Sequence, residues 1–322
     1  MLKKLTQLKP LIGNTPIIEL DHQDLQLFAK LECYNFSGSI KARPAYVILE
    51  EAIRTQQIDS ETVIVESSSG NFAIALATIC KKLGLRFIAV IDKFTNPVNE
   101  KLLKVLCYDL IKITEQDETG GCLLNRIRKI KSLLEEIPDA FWPNQYENPL
   151  NPLSHFNGTG KEICEAVEHL DAIFISVSSG GTVTGISQRV KKQFPQCKVI
   201  AVDAEGSVIF GASPRPRPIP GMGSSMRPKV LDEAIIDEVV YVNELEIVDA
   251  CNQLLNEHGL FLGGSSGGAF AAALKFDYSY VKTKKPVVAF ICPDMGKGYI
   301  DNVYNPQWVA KLLKYQPNYN NN

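Results

Sequence analysis

Three short segments rich in glycine and serine each stand between an apolar strand-like run and an apolar helix-like run. They read ESSSGN (66–71), SSGGTVTG (178–185) and GGSSGGA (263–269). A turn of this kind leaves backbone N–H groups unpaired at the start of a helix, where an anion is stabilised. Any one of them could be an ordinary connection between a strand and a helix. Three in one chain favour an anionic cofactor.

The motifs that bind nucleotides are missing from the sequence. No GxGxxG follows a strand-like run, which argues against a dinucleotide. The triphosphate motif GxxxxGK[ST] is also absent, since Gly160-Lys161 is followed by glutamate. Gly296-Lys297 is followed by glycine and fails the same test. A single phosphate on a small organic cofactor is the remaining interpretation.

A lysine with possible catalytic chemistry stands in the segment SGSIKARPA (37–45). Lys41 lies in a Gly/Ser turn just ahead of Pro44, which is expected to open a helix. A lysine amine can condense with an aldehyde to give a Schiff base. Most lysines are solvated surface residues, and Lys41 on its own could be one of them.

Taken together and in this order, the motifs resemble those of the fold type II pyridoxal-phosphate enzymes, a family that includes the cysteine synthases. The resemblance extends from IGNTPIIEL (12–20) to PDMGKGYID (293–301). It implies pyridoxal 5'-phosphate (PLP) as cofactor, amino acids as substrates and a homodimer. It also implies an α/β fold of two doubly wound domains with the cofactor in the cleft between them.

The family's cofactor contacts can be carried over position by position. The resemblance implies that Lys41 holds PLP covalently and that Asn71 contacts its phenolic oxygen. It implies that Ser265 faces the pyridine nitrogen. The phosphate loop falls on Ser178, Ser179, Gly180, Gly181 and Thr182. A hydroxyl such as Ser265 can hydrogen-bond a neutral ring nitrogen, and a neutral ring is a weaker electron sink, which suits β-replacement better than transamination.

The resemblance also implies where the amino-acid substrate binds. Its carboxylate would be held by a serine-rich loop and by a glutamine, which fall on Ser67, Ser68, Ser69, Gly70 and Gln145. Departures from the ordinary cysteine synthases narrow the range of reactions that we expect the chain to catalyse. Those enzymes have aspartate where this chain has Ala42, and Thr-Gly where it has Phe72-Ala73.

Three further segments, 120–130, 202–211 and 220–228, resemble a branch of the family that makes precursors of 2,3-diaminopropionate for siderophores and antibiotics. That branch joins O-phospho-L-serine to L-glutamate and gives N-(2-amino-2-carboxyethyl)-L-glutamate plus phosphate. A phosphoserine donor brings a second phosphate, which a guanidinium matches well. Arg126 is the candidate, although it could be a solvated charge on a helix face. Tyr146, beside Gln145, could be a substrate contact or a buried aromatic residue.

Two other functions stay open. The chain could be a cysteine synthase that uses O-acetylserine or O-phosphoserine with sulfide. It could also be a non-catalytic binding subunit with the same fold. The presence of Lys41, Asn71 and Ser265 argues against the second alternative.

The arrangement of elements predicts two α/β units. A β-α-β-α-β series spans 62–114, and a second strand and helix series spans 172–292, which is typical of parallel sheets covered by helices. We expect a smaller mobile domain at 38–144 and a larger cofactor-binding domain made of 1–37 and 145–312. Residues 313–322 are expected to be a disordered tail.

Composition excludes several classes of function. The 34 basic and 36 acidic residues give a net charge of −2, which does not favour binding to nucleic acid. No apolar run reaches the ~20 residues of a membrane span. The N-terminus lacks the features of a signal peptide, and the eight cysteines form no CxxC pair. We therefore expect a cytoplasmic enzyme with reduced thiols and no metal site.

Overall fold

A computed structural model describes residues 1–117, 121–282 and 285–315. The strands are β1 (Ile17–Leu20), β2 (Gln26–Leu31), β3 (Val63–Ser67), β4 (Arg86–Asp92), β5 (Asp109–Ile113), β6 (Ala140–Phe141), β7 (Ala172–Ser176), β8 (Lys198–Ala204), β9 (Glu238–Val242) and β10 (Val287–Cys292). The helices are α1 (Leu2–Thr6), α2 (Ala42–Arg54), α3 (Asn71–Leu83), α4 (Pro97–Leu106), α5 (Leu123–Glu136), α6 (Leu150–Phe156), α7 (Thr159–Ala166), α8 (Gly181–Gln193), α9 (Glu244–His258), α10 (Gly264–Lys275) and α11 (Pro306–Tyr315). Short 3-10 turns occupy Lys9–Leu11, Glu32–Tyr34, Lys229–Glu233 and Gly296–Tyr299.

The strands form two separate sheets. One has six strands in the order β1-β2-β10-β7-β8-β9, in which only the β1-β2 pair is antiparallel. The other has four parallel strands in the order β5-β4-β3-β6. Every strand of the smaller sheet lies between residues 63 and 141, and the chain before and after that range builds the larger sheet.

Helices cover both faces of each sheet, as the nearly continuous apolar strands require. In β7, Phe174 packs on one face against α9 and α10, while Ile173 and Ile175 pack on the other face with α8. In β3, Ile64 belongs to the core with α2 and α3, and Val65 packs against α5. The alternation with a period of two residues thus divides each strand between two cores. The predicted doubly wound α/β architecture is confirmed.

The helix starts differ from the sequence prediction in two places. The segments 178–185 and 263–269 were predicted as turns, but α8 already begins at Gly181 and α10 at Gly264. Close helix contacts explain the glycines there. A Cβ on Gly185 would lie 2.0 Å from the Pro152 carbonyl oxygen, and one on Gly267 would lie 2.4 Å from Cys251 Sγ.

The C-terminal part of the described chain is helical to Tyr315. Residues 313–315, expected in a disordered tail, therefore belong to α11, and the rest of that tail lies outside the described residues. Gly120, the first residue of the 120–130 segment, also lies outside them. None of the helices in the described part of the chain is long and apolar enough to traverse a bilayer. Within the same residues, no cluster of three or more histidine, cysteine or acidic side chains could hold a metal ion.

Candidate active site

A cavity of about 1670 Å³ lies between the two sheets and is lined from both sides. The carboxyl ends of β3, β7 and β10 lead into loops that line it, as expected for ligand sites of parallel sheets. Single ligand pockets are typically about 300–1,000 Å³. This cavity therefore has room for a cofactor and an amino acid together.

Lys41 immediately precedes α2 and lines this cavity. Its Nζ donates to Ser179 Oγ at 2.8 Å, which places the amine against the loop that opens α8. Burial disfavours the charged form and lowers the pKa of Lys41 from 10.5 to about 8. A larger fraction of this amine is therefore neutral, and able to attack an aldehyde, than for an ordinary lysine.

A buried ionic network fixes the backbone next to Lys41. Arg43 lies 2.7 Å from both Glu32 Oε1 and Glu162 Oε2, and Lys30 Nζ lies 2.6 Å from the same Glu162 oxygen. Beside these cations the pKa of Glu162 falls to about 2 despite its burial, so this carboxylate stays ionised. The network joins β2, the first turn of α2 and α7.

The loop 178–182 opens α8 and has the form of an anion site. Gly180 has φ +84°, and Gly181 leaves no room for a side chain because a Cβ there would lie 2.1 Å from Asn151 Oδ1. The first backbone N–H groups of α8 have no carbonyl within the helix to bond, so they are available to a phosphate. Thr182 Oγ1 lies 3.4 Å from His155 Nε2, at the same end of the helix.

His155 lies beside this loop and is completely buried. Burial, followed by the charges of Lys41 and Arg43, holds its pKa well below the ordinary value. The imidazole is therefore neutral. Its two nitrogens lie 3.3 Å from Thr159 Oγ1 and 3.4 Å from Thr182 Oγ1, so it fixes the orientation of Thr182.

The loop 67–71 connects β3 to α3 on the side of the smaller sheet. Ser68 Oγ accepts a hydrogen bond from the backbone N–H of Ala73 at 3.2 Å and thereby caps the first turn of α3. Ser69 and Gly70 are half-buried and line the cavity. The Ser67 side chain is fully buried and is not part of the lining. The structure therefore does not bring Ser67 to the cavity with the other residues of this loop.

Asn71 is tied to the opposite sheet. Its Nδ2 donates to Asp294 Oδ2 at 2.6 Å, and the same oxygen accepts from Tyr299 Oη at 3.2 Å. Burial raises the pKa of Asp294 to about 6, although both donors lower it. Asp294 was not among the predicted site residues. It belongs to PDMGKGYID, a motif noted in the sequence, but nothing there pairs it with a residue 223 positions away.

Ser265 lines the cavity from the first turn of α10 and is almost completely buried. Its carbonyl oxygen accepts from Ser176 Oγ at 2.6 Å, which fixes this turn to the end of β7. Gly221, with φ +100°, passes close by, since a Cβ on it would lie 3.8 Å from Ser265 Oγ and 2.6 Å from Tyr299 Oη.

Arg126 on α5 is 8% exposed, which excludes a solvated charge on a helix face. Its Nε lies 3.2 Å from Asp92 Oδ2 in an ion pair, and one terminal nitrogen donates to Ser69 Oγ at 3.3 Å.

Tyr146 is half-buried in the cavity wall, and burial raises the pKa of its hydroxyl while Arg126 opposes the shift. Gln145 is buried, and its carbonyl oxygen accepts from Asn151 Nδ2 at 2.7 Å.

The cavity thus brings together the predicted site residues except for Ser67 and Gly181. The residues that line it are Lys41, Ser68, Ser69, Gly70, Asn71, Arg126, Gln145, Tyr146, Ser178, Ser179, Gly180, Thr182 and Ser265. A buried amine, a glycine-rich helix start and a buried hydroxyl are donors of the kind that an aldehyde, a phosphate and a ring nitrogen require. These residues fit PLP.

Comparison with known proteins agrees with this arrangement. The family model described as "Pyridoxal-phosphate dependent enzyme" matches residues 8–293. A curated N-(2-amino-2-carboxyethyl)-L-glutamate synthase from Ralstonia nicotianae is 42% identical over 94% of this chain and 90% of its own length. The enzyme of the same name from Cupriavidus metallidurans is 40% identical over the same shares.

Among solved structures, the O-acetylserine dependent cystathionine beta-synthase from Helicobacter pylori is similar, with a TM-score of 0.84 and 30% identity. The match covers 92% of this chain and 98% of that one. Because the family model spans most of the sequence and the fold and cavity agree with it, the chain belongs to the pyridoxal-phosphate dependent enzymes and uses PLP as its cofactor.

Proposed function

We propose that the protein catalyses β-replacement, in which the α-amine of L-glutamate displaces phosphate from O-phospho-L-serine. The product is N-(2-amino-2-carboxyethyl)-L-glutamate, a precursor of 2,3-diaminopropionate for siderophore or antibiotic synthesis. The observation that carries the proposal is the buried Arg126, which places a cation in the same cavity as Lys41. The two curated relatives named for this reaction support it.

In this proposal Lys41 has two tasks. It would hold PLP covalently in the resting enzyme, for which its lowered pKa is suited. With the substrate bound, the Lys41 amine would take the proton from Cα and later return it. Bound PLP supplies the electron sink that makes loss of this proton, and then of the Cβ substituent, possible. At Cβ the bond to phosphate oxygen breaks and a bond to the glutamate nitrogen forms.

The proposed cofactor contacts follow the geometry of the cavity. The loop Ser178–Thr182 would bind the PLP phosphate with backbone N–H groups at the start of α8. Ser265 would hydrogen-bond the pyridine nitrogen. Asn71 would direct its second amide hydrogen to the phenolic oxygen, since Asp294 takes the first one.

The proposed substrate contacts lie on the side of the smaller sheet. Ser68, Ser69, Gly70 and Gln145 would hold the carboxylate of phosphoserine. Arg126 and Tyr146 would bind its phosphate through charge-assisted hydrogen bonds. We assign no substrate contact to Ser67.

We further propose that residues 38–144 move as one domain against 1–37 and 145–312, and that the enzyme is a homodimer in the cytoplasm. All eight cysteines are unpaired, which suits a reducing compartment. Light scattering on the PLP-loaded protein tests the dimer, and a mass of one chain would contradict it.

A cysteine synthase that uses O-acetylserine is the second candidate, and one observation favours that donor. A similar solved structure is an enzyme that depends on O-acetylserine. That donor carries no phosphate, so it would leave Arg126 without a ligand. Product analysis separates the two functions.

The test offers the PLP-loaded enzyme phosphoserine with glutamate or with sulfide, in separate reactions, and identifies each product by mass while free phosphate is measured. We expect the glutamate adduct and an equal amount of phosphate. Lys41→Ala is the matched control and should give neither. Cysteine as the main product, with no adduct from glutamate, would contradict the proposal.

A further inference from the structure

Arg217 lines the cavity together with Arg126 and Arg215. Arg217 belongs to the proline-rich loop that follows β8, on the side of the larger sheet, and is half-buried. One terminal nitrogen donates to the Gly206 carbonyl oxygen at 2.6 Å and the other to Ser225 Oγ at 3.2 Å. These bonds fix the guanidinium, yet they engage only two of the five N–H groups that an arginine carries.

Arg217 has no carboxylate within ion-pair distance in the described part of the chain. The other two arginines of the cavity differ in this respect: Arg126 is paired with Asp92, and Arg215, two positions from Arg217, is paired with Glu205. Burial lowers the pKa of Arg217, and the charge of Asp203 only partly opposes that shift. A half-buried cation without a paired anion is costly unless a ligand supplies the anion.

Contacts of the Arg217 side chain place it beside the proposed phosphate loop. A Cβ on Gly223 would lie 2.9 Å from Arg217 Cδ, so the arginine stem packs directly on this glycine. The N–H of Gly223 donates to the Val177 carbonyl oxygen at 2.8 Å, and its own carbonyl accepts from Ser178 Oγ at 3.2 Å. Arg217 is therefore held against the inner edge of the larger sheet, where the cofactor loop begins.

We propose that Arg217 binds a carboxylate of the incoming acceptor and so selects a dicarboxylic amino acid. This inference rests on the proposed function. The donor's anionic groups are already matched on the other wall by Arg126 and the turn 68–70. The acceptor brings two more carboxylates, for which the larger sheet offers a fixed guanidinium with free donors. A sulfide acceptor would need no such cation.

The experiment compares three PLP-loaded enzymes with phosphoserine as donor: the wild type, Arg217→Gln and Arg215→Gln. Glutamine keeps a planar amide that can still donate to the Gly206 carbonyl, while it removes the charge. Arg215→Gln makes the same change of net charge on the same loop and is the matched control.

We expect Arg217→Gln to raise KM for glutamate by about 10- to 100-fold, the range of one charge-assisted hydrogen bond. KM for phosphoserine should stay the same in both variants. Glutarate has the two carboxylates of a dicarboxylic acceptor but no amine, so it can bind without reacting. Its Kd, measured by calorimetry, should rise by the same factor in Arg217→Gln and not in Arg215→Gln.

Each other outcome has a defined meaning. A wild type that forms no product from glutamate contradicts the proposed function. A wild type that forms product, with Arg217→Gln keeping its KM for glutamate and its Kd for glutarate, contradicts only the assignment of Arg217. A raised KM for phosphoserine alone would place Arg217 at the donor phosphate and also overturn it. If Arg217→Gln does not fold, Arg217→Lys keeps the charge and should bind glutarate more tightly than Arg217→Met does; equal binding would overturn the inference.

Discussion

Asn71 Nδ2 donates to Asp294 Oδ2 at 2.6 Å and thereby links the start of α3, beside the smaller sheet, to the end of β10 in the larger one. Asp294 Oδ1 lies against Gly263, where a Cβ would come within 2.0 Å of it. The carboxylate thus lies between two segments of the chain, at Asn71 and at Gly263, and fixes the rotation of the Asn71 amide.

This link predicts that Asp294→Ala and Asn71→Ala have overlapping effects. Each should lower the turnover of the PLP-loaded enzyme and shift the visible absorbance of the cofactor. Asn71→Ala removes the amide at the phenolic oxygen, and Asp294→Ala leaves that amide free to rotate. In a double-mutant cycle the two losses should fall short of additivity by about 0.5–3 kcal/mol. Additive losses, with no change in the absorbance, would show that Asp294 does not act through Asn71.

The pKa of Lys41 sets the pH dependence of cofactor attachment. Burial lowers this pKa to about 8. The fraction of neutral amine therefore increases as pH rises, and the neutral form predominates above about pH 8. When the apoenzyme is mixed with PLP, the rate of covalent attachment should rise with pH and level off above about pH 8. A rate that continues to climb towards pH 10.5 would show an ordinary, solvated lysine.

The positive charge of Arg126 leads to a prediction about which donor the enzyme prefers. Phosphoserine carries about two negative charges on its side chain near neutral pH, and O-acetylserine carries none there. Arg126→Ala should reduce kcat/KM for phosphoserine by about 10- to 100-fold and leave that for acetylserine nearly unchanged. Initial rates with both donors test this. Equal losses would mean that Arg126 only stabilises the fold through Asp92 and Ser69.

The ionic network beneath Lys41 predicts a large effect on stability. Arg43→Ala removes the cation from Glu32, which is fully buried, and an uncompensated buried charge costs about 3–5 kcal/mol. Denaturant unfolding should show a loss of that size. Arg54→Ala is the control, because Arg54 pairs with Glu51 on the exposed face of the same helix and should cost little. Similar losses for both variants would contradict this role for the network.

Much of the architecture follows from periodicity alone. The buried strands β4 and β8 coincide with the largely apolar sequences RFIAVID (86–92) and KVIAVDA (198–204), because a strand covered on both faces is apolar along most of its length. The first turns of α8 and α10 could not be predicted in this way. Their glycines are required because neighbouring helices pack too closely for a side chain, and that packing is visible only in three dimensions.

The residues of the candidate site also differ in whether the sequence alone can identify them. Lys41, Asn71 and Ser265 stand in local motifs, so their types and spacing identify them. Asp294 acts through a partner 223 positions away. Arg217 is distinguished by the lack of a paired carboxylate among the residues that the structure describes. Neither property leaves a local pattern in the sequence.

The most direct test of the account follows atoms from substrates to product. The PLP-loaded enzyme is given phosphoserine in which both hydrogens on Cβ are replaced by deuterium, together with glutamate labelled with nitrogen-15. The products are analysed by mass spectrometry. The proposed reaction gives an adduct that keeps both deuterons and the nitrogen label, with one phosphate released for each adduct. Pyruvate in place of the adduct, or an adduct that lacks the nitrogen label, would contradict the claim that the glutamate amine replaces phosphate at Cβ.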